Sequence, residues 1–289
     1  MTATPLRTAV VIGCGATGTS VALALTGAGV EVALIDQDPR AAADAAALGA
    51  GTPWRPALPT ADLVVVATPP SAVVDVLYTA QARGLGRVYT DTAGTKDIIC
   101  ADAELRGCDL KGYVPGHPSA GPDAPGRATA DAGRFAGRPW VLCPYETTPA
   151  WALETVGALI ALCGAVRTDL APHVHDEVVA VLSHAPHLVV SALAGRFEGG
   201  APHLRELAGD ELRDVVRTAD GDPNLWSDLL THNAGPVADV LDDVARILAH
   251  TSEILREGAM SAPIELAAVL EQGRRGQIAL EQARKRRIS

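Results

Sequence analysis

The stretch Val10–Gly18, which reads VVIGCGATG, decides the fold of this chain. An apolar run typical of a β-strand breaks there into a Gly-x-Gly-x-x-Gly turn, and a helical pattern follows over Thr17–Thr26. Gly13 permits the tight turn, Gly15 lets a pyrophosphate approach the backbone, and Gly18 lets the helix pack closely on the strand. The stretch therefore predicts the strand, phosphate-binding turn and helix of a dinucleotide-binding fold.

The start of this helix and the strand after it predict which dinucleotide binds. Ala16 and Thr17 stand at the helix N-terminus, whose unpaired N–H groups and positive dipole end favour a phosphate. A second β-type run, Val30–Ile35, ends at Asp36, eighteen residues after Gly18. A carboxylate there accepts hydrogen bonds from a ribose 2′-OH and repels a 2′-phosphate. We predict NAD rather than NADP as the cofactor, and the alternative is a structural glycine turn in another α/β protein.

The composition bounds the size and the class of the protein. The chain has 289 residues, enough for a large core and about two domains. Its formal net charge of −10 argues against wholesale binding of nucleic acid. Five cysteines without Cys-x-x-Cys spacing predict neither a disulfide framework nor a metal site. With no signal-peptide pattern before the first strand and no apolar run near the roughly 20 residues that cross a bilayer, we expect a cytoplasmic protein that binds no membrane.

Short β-type runs alternate with helical patterns in the first half of the chain. The predicted strands are Ala9–Ile12, Val30–Ile35, Leu63–Ala67, Val88–Thr90, Gly112–Val114, Trp140–Cys143 and an edge strand at Ala165–Thr168. The predicted helices are Thr17–Thr26, Pro39–Leu48, Ser71–Arg83, Asp97–Leu105 and Ala150–Cys163, and beyond residue 173 only helical patterns occur, over 175–197, 201–218, 224–232, 237–257 and 264–283. The predicted fold class is α/β: a Rossmann-type doubly wound parallel sheet in residues 1–170, followed by an all-α domain in residues 171–289 that a second subunit completes.

Polar and proline-rich segments follow three of the predicted strands. In a doubly wound sheet, ligands bind outside the carboxyl ends of the strands. Thr68, Pro69 and Pro70 form a stiff turn there against which a dinucleotide could lie, although simple loop punctuation explains them equally well. The segment 91–96, DTAGTK, contains Thr92 and lies on the same rim, as does His117 in the next loop. His117 is placed to act as a general base beside a nicotinamide, and a structural hydrogen-bonding histidine is the alternative.

Three histidines of the helical half are candidates for a substrate pocket. His184 and His187 are three residues apart and lie on one helical face. His175 is nine residues from His184, which places it close to the opposite side of a straight helix. We interpret these side chains as a polar lining that faces a substrate.

Two arginines predict the charge of that substrate. Arg213 and Arg217 are four residues apart on one helical face. Arginine binds carboxylates through two parallel hydrogen bonds, so the pair suits an anionic substrate. The alternative is a solvated face paired with Asp214 or Asp210.

Taken together, these residues resemble the prephenate dehydrogenase family, which includes the arogenate dehydrogenases. The matching pieces, in chain order, are GCGATG at 13–18 with Asp36, ATPP at 67–70, DTAGTK at 91–96, GHPSAG at 116–121, GRPWVL at 137–142, His175 with Asp176, SHAPH at 183–187, RDVVR at 213–217 and DPNLW at 222–226. The His-Pro-x-Ala-Gly loop and the Ser-His-x-Pro-His segment are the most specific of them.

The resemblance implies an oxidative decarboxylation of a small anionic cyclohexadienyl substrate by a homodimer that uses NAD⁺. In this reaction hydride leaves ring position C4 for NAD⁺ while a ring carboxylate departs as CO₂. His117 matches the catalytic histidine that accepts the proton of the C4 hydroxyl, and Arg217 matches the arginine that binds the side-chain carboxylate. The residues that match those lining, ordering or guarding the substrate pocket are His175, Ser183, His184, His187 and, at its entrance, Asp123.

Two departures from the family pattern fall where the C4 substituent of the substrate would lie. The family usually has Asp-x-x-Ser-x-Lys after the fourth strand, with the serine bonded to the catalytic histidine and the C4 hydroxyl, whereas this chain has Gly94 there. Pro122 replaces a usually polar position in the His117 loop. We expect glycine to leave room for a C4 amine, so the alternative substrate is 4-amino-4-deoxyprephenate, which would give 4-aminophenylpyruvate.

Two more distant alternatives remain. A β-hydroxyacid or imine-type dehydrogenase has the same two-domain plan but resembles this chain only in the Rossmann half. A non-catalytic NAD-binding sensor would keep the cofactor half and lose the catalytic one, yet His117 and Arg217 are both present.

Overall fold

The computed structural model describes residues 6–56, 58–119, 130–258, 260 and 262–288. The chain forms two compact units, Met1–Val237 and Ala238–Ser289.

The first unit is built on a six-stranded parallel sheet with strand order β3-β2-β1-β4-β5-β6. Its strands are β1 (Thr8–Ile12), β2 (Glu31–Ile35), β3 (Thr52–Pro53), β4 (Ala61–Val66), β5 (Gly86–Asp91) and β6 (Tyr113–Val114). Its helices are α1 (Ala16–Gly27), α2 (Pro39–Ala47), α3 (Pro70–Ala82), α4 (Asp97–Arg106) and α5 (Ala150–Leu162). This arrangement confirms the predicted doubly wound α/β fold, and the short strand β3 is the element of this sheet that the sequence analysis missed.

Apolar side chains on both faces of the sheet form the core. Val11 and Val65 point into the layer packed by α1, α2 and α5, whereas Val10 and Val64 point into the layer packed by α3 and α4. Successive residues of a strand alternate between faces, so a strand buried on both sides must be apolar throughout. That requirement explains the unbroken apolar runs in the sequence.

A second, three-stranded sheet corrects the prediction that the later strands extend the parallel sheet. It consists of β7 (Gly116–Pro118), β8 (Pro139–Leu142) and β9 (Val166–Asp169) in the order β7-β8-β9. β7 pairs antiparallel with β8, and β8 pairs parallel with β9. Pro115 separates β6 from β7 and has no N–H group for a sheet ladder, so the chain leaves the large sheet there.

A long helical segment follows the second sheet in the first unit. Its parts are α6 (Pro172–Val179), a π-helical stretch (Ala180–His184), α7 (Ala185–Ala194) and a 3₁₀ turn (Gly195–Phe197). After it come α8 (Pro202–Glu206), α9 (Asp210–Val216), a 3₁₀ turn (Arg217–Ala219) and α10 (Pro223–Thr231). The helix predicted over 201–218 is therefore broken: α8 ends at Glu206, and Gly209, whose backbone is extended, is the N-cap of α9.

The segment Pro172–Phe197 is long and apolar enough, by length and composition, to cross a membrane, with a mean hydropathy of 1.6. The expectation that no run of the chain approaches this length was wrong. The segment also carries the buried side chains of His175, Asp176 and His184, which hydrogen-bond to other parts of the first unit.

Helices are the only regular secondary structure among the described residues of the second unit. It contains the later part of α11 (Ala234–Glu257), a helix that starts in the first unit, and α12 (Ala262–Ile288). No strand occurs among the described residues beyond 173, as the sequence analysis expected.

Candidate active site

The candidate site lies at the carboxyl ends of the parallel strands, where α6 packs against α4 and α10 packs against α3. Its central residue, His117, lies on β7 rather than in a loop, and the ladder with β8 pairs it with Val141. Placement on a strand fixes the backbone of the histidine and so the direction of its ring.

His117 and His175 are joined by a hydrogen bond. The Nδ1 atom of His117 lies 2.8 Å from the Nε2 atom of His175, and the two rings meet edge to face. The Nδ1 atom of the fully buried His175 lies 2.7 Å from Oδ1 of Asp176. A carboxylate only accepts hydrogen bonds, so His175 carries a proton on Nδ1, and in the neutral ring Nε2 then offers its lone pair. His117 must then donate through Nδ1–H, which leaves its own Nε2 as a free basic lone pair.

The Asp176 carboxylate is held by the start of α4. Its Oδ1 atom accepts the backbone N–H of Lys96 at 2.8 Å, and its Oδ2 atom accepts the backbone N–H of Asp97 at 2.9 Å. A helix N-terminus has unpaired N–H groups and a positive dipole end, so it stabilises this buried negative charge. Asp176 thereby fixes α6 against the sheet rim and fixes the proton position on His175.

The environment of His117 keeps its ring neutral. Enclosure in the protein lowers the pKa of His117 well below 6.5, and the neighbouring His175, Lys96 and His184 add to this effect. At neutral pH the histidine is therefore an unprotonated base, which is the form that can accept a proton.

A buried ion pair shapes the turn beneath His117. Lys96 Nζ bonds to Oδ1 of Asp91, and both side chains are completely buried. Asp91 Oδ2 also accepts the Tyr113 hydroxyl at 2.7 Å and the Gly116 N–H at 3.2 Å. The pair thus ties the segment 91–96 to β7. The sequence analysis selected this segment but did not predict the pair.

Gly94 lies beside His117, and the space next to it is already filled. A Cβ atom added at Gly94 would lie 3.8 Å from Nε2 of His117 but only 2.8 Å from Cδ2 of Leu229 on α10. The expectation that glycine leaves open room at this point therefore needs correction, because a leucine methyl group takes the place. The sequence contains no local signal for this contact.

His184 and His187 are both buried, in agreement with a position inside the fold. The Nδ1 atom of His184 lies 3.0 Å from Nδ2 of Asn233, which also donates to the backbone oxygen of Asp176 at 2.9 Å. Burial lowers the pKa of His184 to about 4. His187 stacks on Trp226 with ring centroids 3.6 Å apart. Asn233 and Trp226 therefore contact predicted site residues but were not themselves predicted.

The π-helical stretch explains how His175 and His184 are both buried on one segment. A π turn holds more residues than an α turn, so Ala180–His184 rotates everything after it relative to α6. Nine residues on a straight α-helix would have put the two rings on opposite sides. π-bulges are frequent at functional sites.

Three of the remaining predicted substrate residues lie outside this cluster. Ser183, Arg213 and Arg217 are exposed, and Arg217 Nε lies 3.9 Å from Asp214. The 3₁₀ turn that begins with Arg217 packs on α7, the helix of His187. Asp123 falls outside the described residues. The roles assigned to these four residues stay predictions.

The turn between β1 and α1 fits a dinucleotide. Gly13 has a φ of +101°, and a Cβ added there would lie 2.2 Å from the oxygen of Ala67, so only glycine fits. A Cβ at Gly18 would lie 1.9 Å from the oxygen of Gly13, whereas at Gly15 nothing lies within 4 Å. Gly15 therefore leaves the backbone open at the start of α1, where Ala16 and Thr17 begin the helix.

The rest of the predicted cofactor site lies along the same rim. Asp36 accepts the N–H of Cys14 at 2.6 Å and that of Asp38 at 2.9 Å, which holds its carboxylate against the glycine turn. Pro69 caps α3, Pro70 begins it, and the Thr92 N–H bonds to the oxygen of Val66. The Thr68 hydroxyl is buried without a hydrogen-bond partner among the described residues, as expected for a group that meets a ligand.

Comparison with known proteins identifies relatives over most of the chain. Residues 21–168 match the family profile "Prephenate dehydrogenase, nucleotide-binding domain", and residues 171–272 match "Prephenate dehydrogenase, dimerization domain". Probable prephenate dehydrogenase NovF of Streptomyces niveus is 37% identical over 266 residues, which cover 89% of this chain and 73% of that protein. Cyclohexadienyl dehydrogenase of Zymomonas mobilis is 30% identical over 247 residues, which cover 80% of this chain and 83% of that protein.

Solved structures show the same fold. Prephenate dehydrogenase from Aquifex aeolicus, in complex with hydroxyphenyl propionate and NAD⁺, superposes with a TM-score of 0.84 at 24% identity. The match covers 96% of this chain and 99% of that one.

Asp36→Asn is expected to weaken NAD binding by about tenfold. The amide still accepts the Cys14 N–H but replaces a charge-assisted hydrogen bond to the ribose by a neutral one, a loss of about 1–1.5 kcal/mol. It also removes the repulsion of a 2′-phosphate, so the preference for NAD over NADP should narrow. Isothermal titration calorimetry with both dinucleotides measures the change.

Asp38→Asn is the matched control, because Asp38 caps α2 and asparagine caps a helix equally well. Unchanged affinities in the Asp36 variant, or an equal loss in both variants, would contradict the role of Asp36.

Proposed function

This chain belongs to the prephenate dehydrogenase family, and we propose that it converts prephenate to 4-hydroxyphenylpyruvate with release of CO₂. It is an NAD-dependent oxidoreductase of that type. The observation that carries the proposal is His117, a neutral histidine whose Nδ1 is bonded to the His175–Asp176 pair and whose Nε2 has no hydrogen-bond partner among the described residues. We assign cofactor binding to residues 1–170 and substrate binding to residues 171–289.

The proposed reaction needs one base beside the cofactor. NAD⁺ supplies the hydride acceptor when it is bound. The residues that would hold it are the glycine turn 13–18, Asp36, Thr68, Pro69, Pro70 and Thr92. As hydride leaves C4, the O–H bond of the C4 hydroxyl breaks, His117 Nε2 takes the proton, and C4–O becomes a carbonyl. The ring carboxylate then leaves as CO₂, its bonding electron pair enters the ring, and the proton held by His117 returns to the former carbonyl oxygen to give the phenol.

His175 and Asp176 are proposed as positioning residues. Asp176 holds the proton of His175 on Nδ1, and His175 in turn holds that of His117 on Nδ1. Without this order the basic nitrogen of His117 would not be the one that faces the substrate. A proton on the wrong nitrogen disables a catalytic histidine even when its position is unchanged.

The anionic groups of the substrate need cationic or polar partners. We propose that Arg217 binds the side-chain carboxylate, with Arg213 as the second candidate. The remaining pocket residues proposed are His175, Ser183, His184, His187, Gly94 and Asp123. Support for Arg217 comes from its turn, which packs on α7 beside the buried His187.

The second candidate substrate is 4-amino-4-deoxyprephenate, which would be oxidised to 4-aminophenylpyruvate. The specific observation that favours it is the lack of a side chain at Gly94, so position 94 offers no hydroxyl, and His117 Nε2 lies 3.8 Å from the point where a Cβ would stand. A neutral amine can donate to that lone pair as a hydroxyl does.

We also propose a cytoplasmic homodimer. Residues 171–272 match the dimerization domain of the family. The helical segment within them exposes large apolar side chains, with Val181 56% and Leu182 65% exposed. A second subunit would cover such a surface. The proposal includes no nucleic acid, membrane or metal.

NADH formation measured with prephenate, arogenate and 4-amino-4-deoxyprephenate side by side tests the proposal. We expect turnover of prephenate and measurable turnover of the amino analogue. His117→Asn should lower kcat by about 10²–10⁴-fold with NAD affinity unchanged, since general bases contribute that much to a rate. Because the base must be neutral, kcat/KM should fall only as pH drops well below 6.5, and this acid limb should vanish in the variant.

No turnover of any of the three substrates would refute the enzyme assignment and favour a non-catalytic NAD-binding protein. Near-normal turnover by His117→Asn would reject the base.

Asp176→Asn tests the positioning role. The amide has one acceptor oxygen for three donors, so it cannot hold both backbone N–H groups and the His175 proton. We expect kcat to fall at least about tenfold with KM little changed. Nitrogen-15 NMR of histidine-labelled protein should show a shift of the His117 proton away from Nδ1.

Glu177→Gln, an exposed neighbour on α6, is the control and should leave both readouts unchanged. A loss of kcat with an unaltered His117 proton position would reduce Asp176 to a structural residue.

Arg217→Ala is expected to raise KM by roughly 10–100-fold with kcat less affected. Loss of a charged hydrogen-bonding partner costs about 1.5–3 kcal/mol, and each 1.4 kcal/mol is a factor of ten. Steady-state kinetics of Arg217→Ala and Arg213→Ala in parallel measure the effect. If Arg213→Ala alone raises KM, the anion site is at Arg213 instead.

A further inference from the structure

Helix α10 brings one apolar side chain to the candidate base. Leu229 lies against Gly94, and its Cδ2 atom would be 2.8 Å from a Cβ added there. That same Cβ position is 3.8 Å from Nε2 of His117. The neighbourhood of the free His117 nitrogen thus contains a leucine methyl group where a side chain at position 94 would stand.

A polar contact at the start of α3 holds Leu229 in place. The neighbouring residue, Asp228, accepts both the N–H and the hydroxyl of Ser71 through its Oδ2 atom, at 3.1 and 3.0 Å. Asp228 Oδ1 lies 3.2 Å from Nδ1 of His232 on the same helical turn. Because Ser71 is in the first turn of α3, this contact anchors α10 on the sheet rim beside the turn 68–70.

We propose that Leu229, together with Gly94, forms the wall of the subsite for the C4 substituent and makes the enzyme accept both a hydroxyl and an amino group there. This inference rests on the proposed function. His117 Nε2 accepts one hydrogen bond from either group. The methyl group of Leu229 makes no hydrogen bond that would distinguish a hydroxyl from an amine. Apolar pockets discriminate weakly between similar groups, by about 10²-fold, whereas sites built to hydrogen-bond a group discriminate by 10⁴–10⁵.

A hydroxyl at position 94 would change this balance in a predictable direction. As hydride leaves C4, the oxygen of prephenate becomes a carbonyl and keeps lone pairs that accept a hydrogen bond. The nitrogen of the amino analogue becomes an imine nitrogen with a single lone pair, which faces the proton that His117 Nε2 has just accepted. A serine hydroxyl that donates at position 94 therefore finds a second lone pair only on the oxygen substrate, but the serine Cβ fits only when Leu229 gives way.

The test compares four enzymes: wild type, Gly94→Ser, Leu229→Ala and the double variant. The ratio of kcat/KM for prephenate to kcat/KM for the amino analogue is measured for each. We expect a wild-type ratio within about 100-fold of unity and little change of the ratio in Leu229→Ala. The double variant should raise it about threefold to tenfold, more than Gly94→Ser alone, because one neutral hydrogen bond is gained only when the serine fits.

Leu225→Ala, a truncation at an exposed position of the same helix, is the matched control and should not change the response to Gly94→Ser. Additive effects of Gly94→Ser and Leu229→Ala on the ratio would overturn the inference. So would a wild type that prefers one substrate by more than 10⁴-fold.

A binding measurement separates this inference from the proposed reaction. The probes are 3-(4-hydroxyphenyl)propionate and 3-(4-aminophenyl)propionate, titrated calorimetrically into each enzyme with NAD⁺ present. If wild type turns over neither substrate, the proposed function fails, yet a ratio of dissociation constants that shifts toward the hydroxyl probe only in the double variant still supports the wall. Equal ratios in all four enzymes, or binding of neither probe, overturn it.

Discussion

The Asp176 carboxylate is the interaction on which the candidate site depends. Its two oxygens bind the start of α4 on the sheet side and His175 on the helical side, and its backbone oxygen receives Asn233. One buried charge therefore both docks α6 on the Rossmann-type sheet and orders the protons of two histidines. The helix N-terminus stabilises that charge through backbone N–H groups, and the same carboxylate orients His175.

The features predicted from sequence are those whose cause is local. The turn Gly13–Gly18 is specified by glycines that the backbone itself requires, and the structure shows two of them in places where a Cβ would collide. The parallel sheet was predictable because strands buried on both faces must be apolar throughout. His117 was predicted on the rim because it follows the last strand of that sheet.

The features that sequence reasoning missed depend on distant contacts or on irregular backbone. Strand β7 has only three residues, follows Pro115 and ends with Pro118, so it carries no periodicity to detect. The π-helical stretch that ends at His184 has no compositional signature, yet it decides which face that histidine occupies. The contact of Leu229 with Gly94 joins the helical part to the sheet rim. Neither segment has a sequence pattern that predicts this contact. Glycine at position 94 was read as empty space, and only the packed chain shows what fills it.

The buried pair Asp91–Lys96 limits how a lineage of such proteins can diverge. Loss of either member alone leaves an uncompensated buried charge, which typically costs about 3–5 kcal/mol out of a total stability of 5–15 kcal/mol. Single substitutions at Asp91 or Lys96 are therefore rarely tolerated, whereas the apolar contact between positions 94 and 229 can change through substitutions of small effect. We therefore expect substitutions that change the chemistry at the sheet rim to fall at positions 94 and 229, while the Asp91–Lys96 ion pair is retained.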